Sequence, residues 1–202
     1  MPTSPQVTKG YVKTENMILS MLICLAAGFV IGVVFSAYRA SPAPDDAGNP
    51  SVASVPLTRQ QQDTLNALIR ATQTTPNSVN AWMQLGHFYF DNNRPAQAIE
   101  AYEKSLALDD KRPDVWTDLG VMYRRIGNPD QAIACFDKAL KINPRHEIAL
   151  FNKGVVLMHD KNDPKAALAN WEQLLQINPQ AKTPNGQPVK TMVEELRKNL
   201  PS

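Results

Sequence analysis

Two cysteines, three histidines and a formal net charge of +2 in 202 residues leave little material for several kinds of function. Cys24 lies in an apolar block and Cys135 far beyond it, so neither an internal disulfide nor a redox compartment can be read from them. His87, His146 and His159 have no metal-ligand spacing to one another or to cysteine, which argues against a metal site. Nucleic-acid binding needs clustered Lys and Arg on one face, and the near-neutral balance supplies no such field. No Gly-rich phosphate loop, nucleophile elbow or paired-acid constellation occurs in a plausible setting. The sequence therefore reads as a protein that is not an enzyme, needs no cofactor or metal, and binds no nucleic acid.

What is present is uneven along the chain. After a short N-terminal tail (1–16), Met17 to Tyr38 runs without a charge, longer than the roughly 20 residues that cross a bilayer. We read 17–38 as a transmembrane helix and signal anchor. A cleaved signal peptide is the rival, with Val34-Phe35-Ser36 as its cleavage site, but its apolar core would span only about 7 to 15 residues. Lipoprotein processing at Cys24 would require a small residue where Ile23 stands. Lys9 and Lys13 precede the span and Arg39 alone closely follows it, favouring a cytoplasmic N-terminus. In a bacterium, that places the remainder in the periplasm and the protein in the inner membrane. Within the span, Ser20, Cys24, Gly28, Gly32 and Ser36 form a stripe of small side chains centred on Gly28 and Gly32, a candidate face for helix association and homo-oligomerisation.

Residues 39–57 are rich in Pro, Ala, Ser and Asp and lack apolar periodicity, so they read as a disordered tether. Beyond it a repeat emerges. Trp82, Leu85, Gly86 and Tyr89 return as Trp116, Leu119, Gly120 and Tyr123, 34 residues on. Ala98 and Tyr102 return as Ala132 and Phe136, while Ser105 and Asp110 give way to Ala139 and Pro144. A third copy begins with Leu150, Gly154 and Leu157. It needs one extra residue between His159 and Asp163 before Ala167, Trp171, Leu174 and Pro179 align. The units are 79–112, 113–146 and 147–181, within a repeat region of 77–179. A capping helix over 58–76 precedes them, and a linker with a second capping helix follows over 182–202. Asn128-Pro129 and Asp163-Pro164 place a capping side chain before a proline at the first helical position, with Pro95 in the latter role in unit one.

The spacing W-x2-L-G-x2-Y, followed by Ala, an aromatic and a closing Pro, resembles the tetratricopeptide family over residues 79–179. The resemblance implies an all-α solenoid of three helix-turn-helix units whose first helices line a concave groove for peptides of partner proteins. Carried over by position, the groove stripe is Asn80, Met83, His87 and Phe90, then Asp114, Thr117, Val121, Arg124 and Arg125, then Ile148, Phe151, Val155 and Met158. Arg124 and Arg125 would engage a carboxylate, and the apolar residues of unit three a hydrophobic side chain. A solvated arginine face paired with Asp91 or Asp114, and a unit-three stripe covered by the last helix, are the plainer alternatives. His87 and Val121 occupy positions where the family's carboxylate clamp for chaperone tails would use Asn, so that mode is not implied. One anchor followed by exported repeats looks like bacterial assembly factors, including subunits of cytochrome c biogenesis. The expected function is thus a membrane-anchored scaffold or adaptor with a protein partner, and a structural protein self-assembling on the membrane is the alternative.

Overall fold

The computed structural model describes residues 56–200. The proposed span 17–38, its Gly28 and Gly32, and most of the tether lie outside the described residues. Among the described residues no helix is long and apolar enough to cross a membrane.

Eight α-helices make up this part: α1 (Arg59–Thr74), α2 (Val79–Asp91), α3 (Pro95–Leu108), α4 (Pro113–Arg125), α5 (Pro129–Ile142), α6 (Glu147–His159), α7 (Pro164–Ile177) and α8 (Val189–Asn199). Helices α2–α3, α4–α5 and α6–α7 are the three antiparallel pairs. Each second helix packs on the first helix of the next pair. First helices also approach one another across units, α2 to α4 and α4 to α6, whereas the backbones of the second helices α3, α5 and α7 stay farther apart. The stack therefore curves with first helices inside and second helices outside, as a tetratricopeptide solenoid does.

Local chemistry sets these boundaries. Proline occupies the start of α3, α4, α5 and α7, where its missing N–H costs no hydrogen bond. The turns inside the pairs each use one left-handed residue: Asn93 (φ 53°), Gly127 (φ 78°) and Asn162 (φ 51°). The extra residue of unit three sits in this turn, between α6 and α7. Thr58 and Gln61 form a reciprocal capping box on α1, Thr58 N–H donating to Gln61 Oε1 at 2.8 Å and Gln61 N–H to Thr58 Oγ1 at 3.2 Å. Asp163 accepts from Ala166 N–H at 2.9 Å, as its position suggests, but Asn128 makes no side-chain capping bond. Its neighbour Pro129 already removes one orphan donor there. His146, which no sequence rule singles out as a cap, caps α6: its Nδ1 accepts from Ala149 N–H at 3.2 Å. That bond leaves the proton on Nε2, which donates to Asp114 Oδ1 at 2.9 Å.

The core repeats with the sequence. Gly86, Gly120 and Gly154 let the first helix of each pair approach an aromatic of the second, Tyr102, Phe136 and Trp171. These three rings are among the largest fully or almost fully buried side chains. Trp82 and Trp116 are only half-buried, unlike Trp171; their indoles donate to Pro76 O at 2.7 Å and Asp110 O at 2.8 Å across the preceding turn. They therefore line outer crevices and tie turns to helices, instead of filling the core as their repeat positions suggest. Helix α1 covers the open face of α2 through Leu65, and α8 covers α7 through Val189 and Val193. Between α7 and α8, residues 181–189 form a short hairpin, with Thr183 N–H donating to Gln187 O at 2.8 Å and Val189 N–H to Ala181 O at 2.9 Å. Gly186 (φ 86°) makes its turn.

Candidate peptide-binding groove

The inner face is formed by α2, α4 and α6, which bring the expected residues onto one surface in unequal states. In unit one Asn80 is exposed, while Met83, His87 and Phe90 are half-buried. Met83 and Phe90 rest on the central apolar cluster of α3, α4 and α5. His87 Nε2 lies 3.2 Å from Asp118 Oδ2 on α4, and this bond raises the imidazole above its ordinary 6.5, aided by the charges of Asp91 and Asp114.

Unit two departs furthest from expectation. Thr117 is 2% exposed and its hydroxyl donates to Pro113 O at 2.8 Å, so it offers nothing to a guest. The backbone carbonyl one turn earlier satisfies the hydroxyl, and the helix buries it. Asp114 is open to solvent and engaged by His146. Val121 is half-buried. Arg124 Nε bonds Asp160 Oδ2 at 2.5 Å, beyond the end of α6. Arg125 stacks over the Phe90 ring at 4.5 Å and donates to Phe90 O at 3.2 Å. The two arginines thus point to opposite neighbours, and neither pairs with Asp91 or Asp114.

Unit three is where the face opens. Ile148 is 60% exposed, far more than the other apolar groove residues, and Phe151 stands one turn further along α6. With Asn152, Leu174, Ala181, Lys182 and Pro184 they enclose a cleft of about 550 Å³. Its outer wall is the 178–184 segment; no residue of α8 lines it, and α8 packs chiefly on α7. Glu147 at the rim accepts from the Asn178 side-chain amide at 2.8 Å. Val155 and Met158 are half-buried on the C-terminal cluster below.

Sequence reasoning missed Asp118, Asn152 and Asp160, which flank the stripe, and the hairpin wall after α7. The first two sit one position beyond the stripe residues Thr117 and Phe151, at the spacing of the next groove-facing row, so that signal was present. On the outer face, Cys135 is buried beside Trp116 and Leu119, and burial, with a smaller contribution from Glu103, pushes its thiol up to about 12. Such a thiol is inert.

Stacked helix pairs with an inner face partly closed by ion pairs and open at one end define a tetratricopeptide solenoid of the peptide-binding architecture. Residues 51–185 match the family described as the cytochrome c-type biogenesis protein H TPR domain, and the chain belongs to that family. No curated protein matches the chain by sequence. Among solved structures, MamA is similar at 24% identity, over 59% of this chain and 70% of that one, with a TM-score of 0.57. The Arabidopsis OM64 TPR domain is similar at 19% identity (60% and 96% covered, TM-score 0.55). So is the first TPR of Spaghetti (RPAP3), bound to the HSP90 peptide SRMEEVD, at 18% identity (61% and 96% covered, TM-score 0.54). At these identities the likeness is one of fold.

Proposed function

We propose that this protein is a non-catalytic adaptor of cytochrome c biogenesis, anchored by an N-terminal helix over 17–38, whose solenoid holds a segment of an unfolded apocytochrome in its inner groove. The family membership over 51–185 carries this reading. The uncharged run with Lys9 and Lys13 before it supports an anchor with a cytoplasmic N-terminus, which would place the repeats in the periplasm of a bacterium. A tether over 39–57 would give the solenoid reach, and the cleft at Ile148 and Phe151 offers an apolar anchor point of the kind that dominates peptide affinity.

Binding of apocytochrome and of haem-loaded cytochrome to the full-length chain tests this directly. The apo form should bind and the folded holo form should not, because only an unfolded segment can enter the groove. Ile148→Glu, which puts a charge into the apolar cleft, should weaken apocytochrome binding by about tenfold or more. Equal binding of apo and holo forms, or an unaffected variant, would refute the reading.

A further inference from the structure

The half of the groove between α2 and α4 carries chemistry distinct from that of the apolar cleft. Tyr102 on α3 is wholly buried, yet its hydroxyl has no hydrogen-bond partner. The equivalent residues avoid this: Phe136 has no polar atom, and Trp171 Nε1 donates to Phe151 O at 3.1 Å. Buried polar groups are paired as a rule, so an orphan at one copy of a repeated position calls for a partner that the protein's own side chains do not supply.

The path of the ring fixes where that partner enters. Tyr102 passes under Gly86, where an added Cβ would lie 2.5 Å from Cδ1 and Cε1, and then meets the His87 ring edge-on, with centroids 5.6 Å apart. Both contacts are on α2. Burial raises the phenol, the charges of Asp118 and Asp91 raise it further and Arg125 opposes them, so all three charges lie within electrostatic reach of the ring. Asp118 is bonded to His87, whose side chain is 45% exposed and has room to turn outward. Asp91 makes no ion pair among the described residues. Arg125, the opposing cation, is drawn aside onto the ring and carbonyl of Phe90.

We propose that this part of the groove takes a cationic side chain, lysine or arginine, of the bound segment: His87 swings off Asp118, Asp118 and Asp91 become the counter-ions, and the Tyr102 hydroxyl accepts a hydrogen bond. The inference rests on the groove reading above and adds the chemical class that its N-terminal half selects.

The test exposes immobilised full-length chain to a pool of random synthetic octapeptides and sequences those retained. Lysine and arginine should be enriched about fivefold or more over the input pool, falling to the input level for Asp118→Asn and at least about threefold for Tyr102→Phe. Tyr102→Phe should melt at the wild-type temperature or higher, since it removes an unpaired buried group. Retention of peptides enriched only in apolar or acidic residues overturns the cationic subsite and leaves the groove reading standing. A chain that retains no peptide defeats both. A lower melting temperature for Tyr102→Phe with enrichment unchanged shows that the hydroxyl serves the fold, and also overturns the proposal.

Discussion

Replacing Gly120 by alanine should destabilise the solenoid, although alanine is the better helix former. The new Cβ would lie 2.6 Å from Cε1 of Phe136 and 3.0 Å from Cδ1 and Cζ. Phe136 is wholly buried between Ala132 and Val156, so the ring has no free space into which to retreat. Overpacking of this kind costs about 1–3 kcal/mol. Better helix propensity returns about 1 kcal/mol, and because a 2.6 Å approach to a confined ring places the cost in the upper part of that range, a net loss of about 1–2 kcal/mol remains. For a folded part of this size each kcal/mol moves the midpoint by about 2–4 °C, so thermal unfolding followed by far-ultraviolet circular dichroism should shift downward by several degrees. Gly120→Ala combined with Phe136→Leu should recover part of that loss relative to the sum of the two single changes, because a shorter side chain relieves the clash. A Gly120→Ala protein as stable as wild type, or a strictly additive double variant, would refute the close approach on which the repeat packing rests.

His146→Ala removes both the α6 cap and the link to Asp114, and should cost about 1 kcal/mol in urea unfolding; an unchanged midpoint would contradict the capping role. The Asp118 bond raises His87 above 6.5, so its contribution is fully present below that value and fades as the pH climbs through the higher folded value. The stability gap between wild type and His87→Asn should therefore be widest in mildly acidic buffer and narrow above neutrality, and a gap constant with pH would count against it. Cys135 should resist alkylation by iodoacetamide in the native chain and react on denaturation, as followed by peptide mapping. Rapid native labelling at that peptide would show that the outer crevice opens.

Much of this was legible because a repeat states its rules several times. The 34-residue interval, the glycines facing Tyr102, Phe136 and Trp171, and the extra residue before Asp163 all follow from local pattern, and the all-α solenoid follows from them. The groove was legible only as a helix face. Which residues on that face stay open depends on partners far along the chain: Asp160 lies 36 residues from Arg124, and Phe90 lies 35 residues from Arg125. No single-helix periodicity encodes such pairings. Thr117 fell on the right face but turns back on its own helix, a choice that hydroxyl side chains make by local geometry. His146 caps α6 because Asp114 holds its ring, again a contact between units. The hairpin that walls the unit-three cleft is polar and aperiodic, so its sequence reads as a linker even though its backbone bonds shape the site.

The central claim is that the face lined by the first helices receives the partner. A photoreactive amino acid placed at position 148, on the inner cleft, or at position 134, in the outer crevice beside Trp116, distinguishes the two faces directly. Irradiation of the full-length chain with apocytochrome should yield a crosslink from position 148 and none from position 134. A crosslink from position 134 alone would contradict the account.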